Sequence, residues 1–166
     1  MTSARQERKQ YRAFLAALAG FVALLCAGPG VLRAATPQAI VVDRHTGLAI
    51  GGYDPVAFYT EGQPLLGKPD LELSYGGATW RFRNIGNREA FAAHPEIYMP
   101  QFGGYDPIGV AHGLAVAGNP NVWLIAGERL FLFYDRARLE KFAADAERLT
   151  ETAERKWPAV QRTLGP

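Results

Sequence analysis

The sequence predicts an α+β domain: a small antiparallel sheet of hairpins packed against helices, with a C-terminal amphipathic helix. Three observations carry this. Two stretches, 71–83 and 122–134, each hold two apolar-rich strands around a short turn. Short helical segments with capping residues lie between them. From Asp135 onward, Leu139, Phe142, Ala143, Ala146, Leu149, Ala153, Trp157 and Val160 recur at intervals of three and four, the period of one helix face.

Ile40-Val41-Val42 is a short strand candidate, followed by the polar run 43–47. Asp54-Pro55 starts a helix, because the carboxylate caps free amides and proline suits the first helical position. In the first hairpin, alternation assigns Leu71, Leu73, Tyr75, Trp80 and Phe82 to the buried face and Thr79, Arg81 and Arg83 to solvent. Asn87 is the expected cap of a short helix ending before Pro95. The second hairpin pairs 122–125 with 130–134 across a turn at 126–128. Asp135 caps the C-terminal helix, which Pro158 is expected to bend or restart. The expected core is Trp80, Phe82, Phe91, Trp123, Phe131, Phe133, Phe142 and Leu149.

The 166 residues suit a single domain at 35–166 behind an N-terminal leader. Residues 1–12 are polar and cationic, 13–27 are uncharged and apolar, and Gly28-Pro29-Gly30 precedes small residues at 34 and 35. That is the order of a secretory signal peptide, with cleavage after Ala34 or Ala35. Residues 13–32 are also long enough to act as an uncleaved membrane anchor. Cys26 lacks the small preceding residue that lipidation requires, and Arg8-Lys9 is a poor twin-arginine pair. The expected location is periplasmic or secreted, with the membrane touched only through 13–32 if the leader stays on.

The formal charge of +2 arises in the leader, which holds five basic residues and one acid. The remaining 13 basic and 15 acidic side chains leave the folded body slightly acidic. A nucleic-acid partner would need a basic patch there, so that class is excluded; no protein partner is specified. The single cysteine lies in the leader, which removes disulfides and thiol nucleophiles from the mature chain. Ser74 is mid-strand, without a nucleophile elbow. The spacing of 62–68 imitates a phosphate-binding loop, but Pro69 stands where a magnesium-binding hydroxyl belongs. No dinucleotide fingerprint follows Gly47.

The chemistry that remains is concentrated in 103–113, where Gly103, Gly104, Tyr105, Asp106 and His112 place a carboxylate, a phenol and an imidazole beside paired glycines. Asp106 and His112 are the candidate metal ligands, a pair that suits a divalent transition metal. His45 reads as solvated and His94 as a ring that bonds the last carbonyls of a helix. Gly-Gly-Tyr-Asp-Pro occurs twice, at 51–55 and 103–107. The flanks read as unrelated, so no duplication is inferred. A functional account would bring Tyr53, Asp54, Tyr105 and Asp106 around one pocket.

Ordered blocks at 49–58, 77–82, 87–91, 95–105, 119–123, 130–134 and 156–158 resemble the secreted YHS-domain proteins, across about 40–160. The resemblance implies a bacterial exported domain, linked through the wider group to metal handling by cysteines. Here Asp106 stands where family members usually carry cysteine, which weakens a copper(I) reading. The expected function is an exported, non-enzymatic domain that binds a small ligand or a metal. The alternatives are an enzyme using Asp54, Asp106 and His112 for acid–base chemistry, or a structural partner-binding module.

Overall fold

The structure, a computed structural model, describes residues 39–164. The leader assigned to 1–34 lies outside them. The fold is α+β, as the sequence predicts, but its hairpins form two separate two-stranded sheets. In chain order come a 3-10 turn (Ile50–Gly52), α1 (Ala57–Thr60), β1 (Lys68–Tyr75), β2 (Ala78–Phe82), α2 (Ile85–Ala93) and α3 (Pro95–Tyr98). A second 3-10 turn (Gln101–Gly104), α4 (Pro107–Ala111), β3 (Asn119–Ala126), β4 (Arg129–Phe133), α5 (Arg136–Ala143) and α6 (Ala146–Thr163) follow. Among the described residues no helix is long and apolar enough to cross a membrane.

The element order repeats, and so does its detail. β1 pairs with β2 through Lys68↔Phe82, slips at a bulge, and resumes with Glu72↔Arg81. β3 pairs with β4 through Asn119↔Phe133, slips likewise, and resumes with Trp123↔Leu132, every partner 51 residues further on. Each hairpin turns through two residues of positive φ, Gly76-Gly77 and Gly127-Glu128, as a tight primed turn requires. Phe91 on α2 packs on Trp80 and Phe82 at 5.0 and 5.3 Å; Phe142 on α5 packs on Phe131 and Phe133 at 4.8 and 5.2 Å. The Gly67 amide bonds the Gly52 carbonyl, as the Gly118 amide bonds Gly104. A Cβ on Gly67 or Gly118 would collide with the facing β strand at Arg81 or Leu132, so both positions demand glycine.

The chain therefore contains two tandem copies of one supersecondary unit, which corrects the reading of the two Gly-Gly-Tyr-Asp-Pro motifs as unrelated. Flanking sequence supports it once aligned: Gly67-Lys68-Pro69 matches Gly118-Asn119-Pro120, and Phe91-Ala92-Ala93 matches Phe142-Ala143-Ala144. Side chains between these anchors have diverged because the copies face different neighbours. β2 is buried on one face only, with Trp80 and Phe82 inside and Thr79 and Arg81 half-exposed. β4 is buried on both faces. Its Leu130 and Leu132 complete the core of the first copy, while Phe131 and Phe133 build that of the second. One strand, by period-2 alternation, thus divides the two cores.

Several local expectations need correction. Asn84 caps α2, accepting the Asn87 amide at 2.8 Å, so the helix starts earlier than a cap at Asn87 allows. Tyr75 is 40% exposed, although its ring meets Phe91 edge-on. Trp123 is half-buried, against Phe58 at 5.2 Å. The C-terminal region is two helices that meet at Ala144-Asp145, and α6 runs through Pro158 without a break. Its buried stripe is Leu149, Ala153 and Val160, whereas Ala143 is exposed. Asp135 caps α5 as expected, accepting the Arg138 amide at 2.9 Å.

Candidate functional site

Each copy of the motif begins on strained backbone. Ile50 and Phe102, in equivalent places, both have positive φ, 43° and 55°, a conformation that costs a non-glycine residue about 1–3 kcal/mol. The tyrosine and aspartate follow within four residues. The amide of Asp54 bonds the Leu65 carbonyl at 2.8 Å, and that of Asp106 bonds Val116 at 2.8 Å. Both carboxylates are fully buried.

The two carboxylates make corresponding connections, divided differently between their oxygens. Asp54 Oδ1 accepts the Val56 amide at 2.9 Å, and Oδ2 accepts the Arg83 amide at 2.8 Å and Asn87 Nδ2 at 2.7 Å. Asp106 Oδ1 accepts the Gly109 amide at 2.7 Å and Arg138 Nη1 at 3.2 Å, and Oδ2 accepts the Tyr134 amide at 2.8 Å. Each aspartate thus ties the turn before its hairpin to the residue after it and to the first turn of the following helix. Burying a carboxylate is tolerated only with such a set of donors. No buried side-chain N or O atom among the described residues lacks a partner.

Asp106 and His112 do not converge. They cap opposite ends of α4, Asp106 at its start and His112 at its end, separated by about 9 Å of helix rise. His112 is exposed, while Asp106 is buried beneath Arg138 and two amides. Among the described residues no group of three or more potential ligands could hold a metal ion. Nor do the motif residues surround one pocket. The Tyr53 hydroxyl accepts Asn121 Nδ2 at 3.1 Å, and the Tyr105 ring packs on Trp157 at 5.9 Å. Burial pushes the Tyr105 phenol above its ordinary range, with Arg44 opposing. Gly103 and Gly104 are buried: Gly103 accepts the Val41 amide through its carbonyl, and Gly104 lies against Ile50.

The other histidines are peripheral. His45 lies in an exposed turn held by Asp43, whose carboxylate accepts the His45 and Thr46 amides and the Thr46 hydroxyl and is thereby held below the usual range. His94 closes α2 through its backbone amide, bonded to Ala90, while its ring faces Glu96 at 3.4 Å; the ring-to-carbonyl cap is not made.

Among the described residues, an open concavity lies elsewhere. A cleft of about 370 Å³ is lined by Tyr75, Glu96, Met99, Pro100, Gln101, Phe102, Glu154, Trp157 and Pro158. It forms where the link between the two copies meets α6. Trp157 is held edge-on to Phe102 at 5.7 Å. None of these residues carried a site assignment from the sequence: Glu96 and Glu154 are 58 positions apart, and the resemblance block that holds Glu96 assigns it no role. A usable signal was the pair of aromatic-proline segments, 98–102 and 157–158. A smaller depression of about 270 Å³ is lined by Ala126, Gly127, Arg129, Ala146, Glu147 and Thr150. Comparison of the chain with protein-family models, with curated proteins and with solved structures finds no match.

Proposed function

We propose that the chain is an exported, non-enzymatic binding domain of the secreted YHS type, with its ligand in the cleft between the 95–102 segment and α6. The observation that carries this reading is the cleft itself. Its 370 Å³ is within the range of small-molecule sites. Most of its lining lies in two blocks of the YHS resemblance, 95–105 and 156–158, with Tyr75 and Glu154 outside them.

Binding is favoured over acid–base catalysis by what the two aspartates do. A general base needs an oxygen within reach of substrate. Asp54 and Asp106 are buried and occupied by structural donors, in the same way in both copies. The test is a small-molecule fragment screen on the full chain, read by NMR at the Trp157 indole N–H. Fragments that shift Trp157 and its cleft neighbours support the reading; fragments that bind only elsewhere overturn it. Export is tested separately. Mass spectrometry of protein recovered outside the cytoplasm should find an N-terminus near Ala35, whereas intact residue 1 on membrane-bound protein would support the anchor.

A further inference from the structure

The cleft combines two kinds of group. Tyr75 and Trp157 supply aromatic surface, with the buried Phe102 beneath them, and Glu96 and Glu154 supply carboxylates. Among the described residues, no lysine, arginine or histidine lines it. Two basic side chains pair with its carboxylates. Arg129 Nη1 bonds Glu154 Oε1 at 2.7 Å but belongs to the neighbouring depression, and His94 Nδ1 lies 3.4 Å from Glu96 Oε1. Aromatic faces carry negative potential and attract cations, tryptophan most strongly. Phe102 and Tyr105 pack on the Trp157 ring and hold it in place, so binding need not order it.

We propose that this cleft binds an organic cation with an apolar body, of the trimethylammonium class; the proposal rests on the cleft being the ligand site. An anion would meet two carboxylates and no lining cation. A purely apolar ligand would strip water from Glu96 and Glu154 without replacing it. A bare metal ion would find two carboxylates and no third ligand. An alkylated ammonium suits both features: its N-methyl groups carry the positive charge and can meet a ring on one side and a carboxylate on another.

The probes are choline and its neutral carbon isostere 3,3-dimethylbutan-1-ol, titrated against the full chain and followed at the Trp157 indole N–H. Choline should bind about tenfold tighter than the alcohol, the ratio that cation–π and rim electrostatics together support. Glu96→Gln, an exposed and conservative change, should weaken choline about two- to threefold and leave the alcohol unchanged. Equal binding of the two probes overturns the cation preference while the cleft stands as a ligand site. Choline shifts confined to residues away from Trp157 overturn the assignment to this cleft. If choline fails but neutral fragments shift Trp157, the cation class alone falls. If no probe or fragment shifts Trp157, both readings fall.

Discussion

Asp54 and Asp106 occupy equivalent positions in two copies of one unit. Each accepts, at 2.8 Å, the amide of the residue just past its hairpin, Arg83 or Tyr134. Each also accepts a side chain from the following helix, Asn87 or Arg138. The repeated motif is therefore a structural clasp that closes turn, hairpin and helix into one unit.

Removing either clasp should destabilise the fold strongly. Asp54→Ala or Asp106→Ala leaves amides and a side-chain donor unpaired, at about 1–3 kcal/mol for each buried group. Urea unfolding should show a loss of about 3–5 kcal/mol for either variant. His112→Ala, at an exposed helix end, should stay within about 0.5 kcal/mol of wild type. A small effect at both aspartates would refute the clasp.

The metal reading of Asp106 and His112 has its own check. Calorimetric titration with divalent transition metals should give the same result for wild type and His112→Ala, because Asp106 is enclosed by its own donors. Binding that His112→Ala abolishes would restore the pair as ligands.

Gly51 and Gly103 are equivalent in sequence but not in surroundings. Both have positive φ, 65° and 63°. A Cβ on Gly51 would meet nothing nearer than Tyr53 at 3.9 Å, whereas one on Gly103 would collide with the Ala39 carbonyl oxygen. Gly51→Ala should lose about 1–2 kcal/mol, the left-handed backbone term alone. Gly103→Ala should lose more, and should loosen the 39–42 segment that bonds Gly103 through Val41. Faster amide exchange at Val41 in Gly103→Ala but not in Gly51→Ala would show this.

Phe91 and Phe142 are a matched test of the two cores. Both are fully buried on the aromatic residues of their own hairpins. Phe91→Ala and Phe142→Ala should each cost about 3–5 kcal/mol in thermal or urea unfolding. A loss under 1 kcal/mol at either would mean that copy does not hold its own core.

Tyr59 and Tyr105 should ionise late. Burial raises the pKa of both; a backbone hydrogen bond at Leu130 opposes it for Tyr59, and Arg44 for Tyr105. Their folded values lie above the unfolded value of about 10. Stability from these groups is therefore full below about pH 10 and lost as pH rises through the folded values. Ultraviolet titration of phenolate should show a late component that Tyr59→Phe and Tyr105→Phe each reduce. Ionisation of all tyrosines together near pH 10 would count against it.

The sequence by itself determined the α+β class, both hairpins and the start of α5. These depend on signals that act over a few residues, such as the Asp135 cap, whose partner amide is three positions away. It also held the repeat, in Gly67-Lys68-Pro69 against Gly118-Asn119-Pro120, but exposed positions had diverged enough to hide it. Only the tertiary structure decided what the aspartates do, because Arg83 and Tyr134 lie 29 and 28 residues from their carboxylates. It also decided that β4 is buried on both faces, since the cover on its second face comes from the other copy. The cleft belongs to the same class of fact. Glu96 and Trp157 line one cleft because α6 folds back over the link between the copies, and no local preference of either residue encodes that arrangement.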